Sequence, residues 1–126
     1  DIQQETGLAI IFITHDFGIV ARMCDRVAVM YAGRIVEQAN VRDLFNKPHH
    51  PYTQALMDSV PKMDRTERLR AIDGQPPPLW DLPEGCRFAS RCVNVKDMCL
   101  TGYPGTTMHE NNHSVSCWMT QPEWNN

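Results

Sequence analysis

One stretch near the start of the sequence restricts the fold more than any other. Residues 8–13 (LAIIFI) are six consecutive apolar residues, and Thr14, His15 and Asp16 follow them directly. A continuous apolar run that is rich in β-branched residues predicts a strand buried on both faces, as in a parallel sheet. Such sheets carry their chemistry just beyond the carboxyl ends of their strands. The sequence therefore predicts an α/β fold with His15 as a candidate functional residue.

The next part of the sequence predicts a short helix and then a β-hairpin. Apolar side chains recur at helical spacing over residues 18–24, and Asp16 is suited to capping this helix. The Val-rich run 27–31 predicts a second buried strand. A two-residue turn follows at 32–33, in which the glycine supplies the positive φ. Residues 34–38 mix charged and apolar side chains, which is typical of an antiparallel edge strand.

Two further helices are predicted, over residues 41–46 and 51–60. Asn40 is a good N-cap for the first, and Pro51 suits the first position of the second. The adjacent histidines at 49–50 do not predict a metal site. Neighbouring side chains at a helix entry point in different directions, and no third ligand is near them in sequence.

The sequence from Thr14 to Glu37, THDFGIVARMCDRVAVMYAGRIVE, resembles the histidine-switch region and following hairpin of ABC transporter ATP-binding subunits. A continuous resemblance of this length is far more specific than a short motif. It implies that the chain contains the C-terminal part of a P-loop ABC ATPase domain: a parallel strand, a helix, an edge hairpin and helices. It also implies that His15 is catalytic and hydrogen-bonds the γ-phosphate of ATP, which binds with Mg²⁺ in the full-length subunit.

Three motifs of such an ATPase are absent from these 126 residues. The sequence has no GxxxxGK phosphate loop, no apolar strand ending in Asp-Glu to hold magnesium, and no signature sequence. The resemblance implies that all three lie upstream in a longer protein. We therefore expect the full-length subunit to hydrolyse ATP and this piece to be inactive alone.

Four cysteines in the last part of the chain are the second informative feature. Their spacing is C-x5-C-x6-C-x17-C. A relative of a cytoplasmic ATPase meets reducing conditions, so disulfides are not expected. Four thiolates in a loop-rich segment suggest a metal centre that stabilises a segment too small to build its own core. The ligands would be Cys86, Cys92, Cys99 and Cys117.

Residue chemistry leaves the metal open. Zinc and a 4Fe–4S cluster both accept four cysteines, although the lack of a CxxC pair argues mildly against zinc. Phe88 and Trp118 lie close to the cysteines, where they either shield a cluster from water or simply pack in the core. His109 and His113 are spare ligand candidates that we interpret as ordinary loop residues, with His113 the more important of the two.

Three segments extend the resemblance to the peptide-importing branch of the ABC ATPases. HPYTQAL at 50–56 is typical of that branch. Residues 72–77 (IDGQPP) and 82–92 (LPEGCRFASRC) resemble the C-terminal extension of oligopeptide and dipeptide transporter ATP-binding subunits. Members of that family carry an iron–sulfur cluster on this cysteine set. The resemblance therefore implies a 4Fe–4S cluster here, with zinc as the alternative.

The predicted organisation has three parts. Residues 1–60 are the C-terminal portion of an ABC ATPase domain, residues 61–85 a charged and proline-rich linker, and residues 86–126 the four-cysteine extension. The full-length protein would power peptide import from the cytoplasmic face of the cell membrane, as a peripheral subunit. Its partners would be a second ATP-binding subunit, transmembrane permease subunits and, indirectly, a peptide-binding protein.

Composition excludes two other kinds of partner. The formal net charge is −3 and the basic residues are scattered, so no nucleic-acid interface is predicted. No apolar run approaches the roughly 20 residues that cross a bilayer, so no direct membrane insertion is expected.

A free-standing four-cysteine metal or iron–sulfur binding regulatory module, with no ATPase role, is the competing hypothesis. It predicts a chain that folds independently and needs no additional sheet partners. The run at 8–13 argues against it, because a buried strand needs neighbours on both sides.

Overall fold

The computed structural model describes residues 7, 9–14, 16–58 and 74–125. Four strands form one antiparallel sheet, with short helices around it. The α-helices are α1 (Phe17–Met23), α2 (Val41–Asn46), α3 (Pro51–Asp58) and α4 (Asp97–Thr101). The strands are β1 (Arg26–Tyr31), β2 (Arg34–Asn40), β3 (Thr107–His109) and β4 (His113–Val115), in the sheet order β1-β2-β4-β3. Single 3₁₀ turns occupy Ala89–Arg91, Glu110–Asn112, Trp118–Thr120 and Pro122–Asn125.

The strand predicted over residues 8–13 is not formed at positions 9–13. Residues 9–14 have no regular secondary structure, and the side chains of Ile11 and Ile13 are 89% and 96% exposed. A parallel strand needs hydrogen-bonding neighbours, whereas the strands of the described residues pair only with one another in an antiparallel sheet. The prediction was wrong for these positions because they have no strand partner here. Leu8 lies outside the described residues.

Helix α1 begins where the sequence predicted its cap. One carboxylate oxygen of Asp16 accepts hydrogen bonds from the backbone N–H groups of Gly18 (2.9 Å) and Ile19 (3.3 Å), which confirms the capping role. Val20 is buried, and Phe17 packs edge-on against Phe45 with ring centroids 6.1 Å apart. The buried face of α1 is therefore narrower than its apolar pattern suggests.

The predicted hairpin is present, but β2 is not an edge strand. The turn residues Ala32 and Gly33 have φ values of 47° and 84°, as a type I′ turn requires. On its other side β2 pairs with β4, with Glu37 opposite Val115. The edge prediction was wrong because the covering strand comes from a part of the chain far away in sequence.

Helices α2 and α3 begin at the residues that the sequence predicts. The Asn40 side chain accepts a hydrogen bond from the Asp43 N–H (2.8 Å), and Pro51 is the first residue of α3. In α3 the most buried positions after Pro51 are Thr53 and Met57. The last predicted residues of this helix, 59–60, lie outside the described residues.

One hydrophobic core connects the hairpin, the helices and the cysteine segment. Phe88 is 3% exposed, and its ring lies 5.1 Å from that of Tyr31 and 5.3 Å from that of Tyr52. The buried members of this core are Val29, Tyr31, Val36, Ala39, Leu44, Met57 and Phe88. The four-cysteine segment therefore packs on the hairpin and α3. The boundaries at residues 60 and 85 stay predictions. Within the described residues, no helix has the length and apolar character needed to span a bilayer.

Candidate functional site

The fold brings the four predicted metal ligands to one cavity. Its wall includes the aromatic residues Phe88 and Trp118 together with the cysteines at positions 86, 92, 99 and 117. All of these cysteines are free thiols, and Cys24 does not line the cavity. Residues spread over about a quarter of the sequence, from Cys86 to Trp118, thus converge on one site.

Two backbone features hold the cysteine loops together. The N–H of Cys86 donates to the carbonyl of Cys99 (2.8 Å), which joins the first cysteine to the third. Gly85 makes this approach possible, because a Cβ at that position would lie 2.1 Å from the Cys99 carbonyl oxygen. Only glycine fits there without a backbone shift.

Two tryptophans in the wall of the cavity are held in place by hydrogen bonds. The Trp118 indole N–H donates to the carbonyl of Gly102 (2.9 Å). Lys96 donates to the Trp124 carbonyl (2.7 Å), and its ammonium lies 4.0 Å from the Trp124 ring centroid. Trp118 therefore has a fixed place in the wall of the cavity, and its shielding role stays a prediction.

Backbone N–H groups point at three of the sulfurs. The N–H of Asn94 lies 3.4 Å from Cys92 Sγ, and N–H groups of Phe88 and Met119 act in the same way on Cys86 and Cys117. In each case the donor is two residues after the cysteine. Such donors favour the thiolate form, which is the form that binds metal.

Burial raises the pKa of these thiols, and its effect is larger than that of the N–H donors. It raises the pKa of the Cys86 and Cys92 thiols and raises that of Cys117 to about 12. These thiols therefore stay protonated near neutral pH unless a positive centre compensates for their desolvation.

The donor chemistry fits a thiolate-bound centre. Sulfur ligands of this kind suit zinc and iron–sulfur clusters. As the described side chains are placed, no group of three or more His, Cys, Asp or Glu residues is arranged to hold a single metal ion. The four thiols share a cavity but do not surround one ion site.

His50 lines the same cavity and contains an unpaired polar atom. Its side chain is 1% exposed, and its Nδ1 accepts a hydrogen bond from the Tyr52 N–H (3.0 Å). Its Nε2 is buried and has no hydrogen-bond partner among the residues that the structure describes. Burial lowers the pKa of His50 to about 4, which keeps the ring neutral at pH 7. Sequence reasoning did not select this residue, although its place before Pro51 was noted.

A buried carboxylate organises the residues next to this site. Glu37 is 1% exposed and accepts hydrogen bonds from the backbone N–H groups of His49 (2.8 Å) and His50 (2.9 Å). It also pairs with Nε2 of His113. The sequence analysis missed Glu37. The only available signal was a charged residue at 37 with apolar residues at positions 35 and 39, the positions that share a face with it in a regular strand.

The three other histidines of the described residues, His49, His109 and His113, form one cluster of rings. The His49 ring is 4.7 Å from that of His109 and 4.5 Å from that of His113. Burial, and then the charge of His113, lower the pKa of His49. The prediction that His109 and His113 are loop residues was wrong, because they lie in β3 and β4.

His15, the predicted catalytic residue, lies outside the described residues. Its neighbours Thr14 and Asp16 are described, and the Thr14 hydroxyl accepts from the Asp16 N–H (3.0 Å). The catalytic role of His15 stays a prediction.

Residues 36–99 match the protein family described as the oligopeptide/dipeptide transporter C-terminal region. This segment is half of the chain and contains most of β2, the helices α2 and α3, and three of the four cavity cysteines. The chain belongs to this family.

Individual relatives agree with the family. The chain is 48% identical over 120 residues to the dipeptide transport ATP-binding protein DppD of Bacillus subtilis, covering 94% of the chain and 36% of that protein. It is 44% identical to the oligopeptide transport ATP-binding protein AppD of B. subtilis, over 98% of the chain and 38% of the relative. It is 40% identical to the oligopeptide transport ATP-binding protein OppD of Haemophilus influenzae, over 99% of the chain and 39% of the relative. The chain thus spans little more than a third of these relatives.

Proposed function

We propose that the chain is the C-terminal part of the ATP-hydrolysing subunit that powers peptide import by an ABC transporter. The observation that carries this proposal is the 48% identity, over 94% of the chain, to a protein named for dipeptide transport and ATP binding. The family match to a transporter C-terminal region supports it. None of the relatives described above is named as a free-standing metal-binding module.

In this proposal ATP and Mg²⁺ bind to the full-length subunit. His15 follows the apolar run, where it donates a hydrogen bond to the γ-phosphate and helps to hold the attacking water. Its role is electrostatic stabilisation and positioning, with no covalent step. The partners are a second ATP-binding subunit, permease subunits and, indirectly, a peptide-binding protein. The subunit acts peripherally, on the cytoplasmic face of the membrane.

His15→Ala in the full-length subunit tests this role. Losing one donor to the reacting phosphate is expected to lower ATP turnover by about 100-fold or more, while ATP binding stays close to that of the wild type. His109→Ala is the matched control, since it removes a histidine from β3 and should leave turnover unchanged. Near-normal turnover in His15→Ala would remove His15 from the mechanism.

We further propose that Cys86, Cys92, Cys99 and Cys117 hold a 4Fe–4S cluster, with zinc as the alternative. The shared cavity and the N–H groups directed at three of the sulfurs support this. A bound centre would supply the positive charge that keeps the buried thiols deprotonated, and it would cross-link the loops of the extension. The four cysteines then serve as scaffold ligands, outside the ATP chemistry.

Anaerobic purification of the full-length subunit, followed by metal analysis, tests the centre. A cluster predicts about four iron and four sulfide per chain with a broad visible absorbance. Cys92→Ser should lose most of the iron, whereas Cys24→Ser should keep it because Cys24 does not line the cavity. Zinc without iron would replace the cluster by the alternative, and a protein without either metal would contradict both.

A further inference from the structure

Among the described side chains, two buried polar atoms have no hydrogen-bond partner, and one of them belongs to the wall of the cysteine cavity. These atoms are Nε2 of His50 and the hydroxyl of Thr53. His50 lines the cavity together with all four cysteines, whereas Thr53 does not. A buried polar group without a hydrogen-bond partner is unfavourable, so a partner for His50 is expected.

The proton on the His50 ring can be assigned from its other nitrogen. The Tyr52 backbone N–H donates to His50 Nδ1 at 3.0 Å, so Nδ1 carries no proton. A neutral imidazole with an unprotonated Nδ1 carries its proton on Nε2. The unpaired atom is therefore an N–H donor, and the lining of the cavity that it shares includes the sulfurs of all four cysteines.

The ring is held in this orientation from two sides. The backbone N–H of His50 donates to a carboxylate oxygen of Glu37 at 2.9 Å, and this bond fixes the backbone at the start of α3. The His50 and Phe88 rings pack with centroids 6.0 Å apart, and Phe88 is itself buried in the core. The ring is therefore held in the orientation in which its Nε2–H is unpaired.

We propose that His50 donates its Nε2–H to a sulfur of the four-cysteine centre and thereby tunes that centre. The inference rests on the proposed cluster. A hydrogen bond to sulfur stabilises the more negative, reduced state, and hydrogen bonds of this kind help to set cluster potentials. His50 is a positioning and tuning residue, and it connects the start of α3 to the extension.

The test is a redox titration of the anaerobic full-length subunit. His50→Phe removes the donor but keeps a ring, and it should shift the oxidised-to-reduced ratio about tenfold, or about 59 mV toward lower potential for one electron. His50→Gln keeps a side-chain N–H donor and should restore most of the wild-type potential. Thr53→Val, which removes the other unpaired polar atom, is the matched control and should leave the potential unchanged.

A second measurement needs no variant to fold. Pulsed EPR of the reduced wild type, with ¹⁵N-labelled histidine, should show weak coupling to one histidine nitrogen. Absence of that coupling, or a wild-type potential in His50→Phe with normal iron content, would overturn the inference while leaving the cluster intact. Absence of iron and sulfide from the wild type would instead overturn the cluster, and the inference with it.

Discussion

Glu37 connects β2, α3 and β4 through the hydrogen bonds of one buried carboxylate. Its carboxylate accepts two backbone hydrogen bonds at the entry to α3 and pairs with His113 on β4. Its side chain is fully enclosed, so water is not available as a substitute partner. A buried carboxylate is tolerated here because several donors satisfy it.

Glu37→Leu should destabilise the protein by about 3–5 kcal/mol, because it leaves buried N–H donors and the His113 ring without a hydrogen-bond partner. Glu37→Gln keeps one acceptor oxygen and should cost less. Urea unfolding followed by circular dichroism measures both effects. Glu110→Gln changes an exposed carboxylate and is the control. Equal stability of Glu37→Leu and Glu110→Gln would contradict the assigned role of Glu37.

Gly85 is the second residue whose identity is decided by close approach. A Cβ there would meet the backbone of Cys99 and Leu100 at 2.1–2.9 Å. Gly85→Ala should therefore push the first and third cysteines apart, at a cost on the order of 3 kcal/mol, and reduce metal content. Gly105→Ala meets nothing closer than 3.8 Å and serves as the control. Wild-type stability and metal content in Gly85→Ala would show that the loop has room to move.

At the scale of elements, the helix starts are set by single capping residues. Asn40 both ends β2 and caps α2, since its side chain accepts from the Asp43 N–H and donates to the Asp43 carboxylate. The same helix buries Leu44 completely in the core. The cap therefore positions a core residue as well as the helix.

Asn40→Ala should lower the free energy of unfolding by about 1 kcal/mol, the usual cost of losing an N-cap. Asn40→Asp keeps an acceptor but faces Asp43, so its stability should fall between those of the wild type and Asn40→Ala. The midpoint of urea unfolding gives the order of the three proteins. Asn40→Ala at wild-type stability would mean that packing of Leu44 alone determines where α2 begins.

For the whole molecule, buried neutral histidines make stability depend on pH. The pKa of His49 is lowered by burial, and that of His50 is lowered to about 4. Between pH 6.5 and about 4, the His50 side chain is protonated in the unfolded chain but stays neutral in the folded protein. Stability is therefore fully present above pH 6.5 and falls as the pH drops from there toward 4.

The loss from His50 alone is expected to be about 3 kcal/mol, from 1.36 kcal/mol per pKa unit. Urea unfolding at pH 7.5 and at pH 4.5 measures it. His50→Gln has no titratable ring at this position and should show a flatter pH profile than the wild type. A wild-type profile that is flat between pH 7.5 and 4.5 would contradict the burial of neutral histidine.

Local signals predicted several elements and the ligand set. The caps Asp16 and Asn40, the start of α3 at Pro51 and the turn at 32–33 depend on residues within a few positions of one another. They were predicted correctly because local backbone and side-chain preferences decide them. The four thiols were predicted as one candidate ligand set from their chemistry; the structure places them in one cavity, and metal binding stays a prediction.

The failures have a different origin. The strand expected within residues 8–13 needs partners that the described chain does not supply. Strand β2 is not at the edge of the sheet, because β4 pairs with its free side. Glu37 and His113 are 76 residues apart in sequence. Whether a strand is covered or a carboxylate is paired depends on such distant segments, which a local pattern does not encode.

By itself the sequence determined the family resemblance, the caps and turns, and a set of four cysteines as candidate ligands. Only the tertiary structure decided that the four thiols share one cavity, that β4 covers β2, and that the unpaired N–H of His50 belongs to the cavity wall. The physical reason is the distance along the chain over which each kind of interaction acts. Capping and turn preferences act within about one helical turn, whereas burial and pairing appear only when distant strands meet in register.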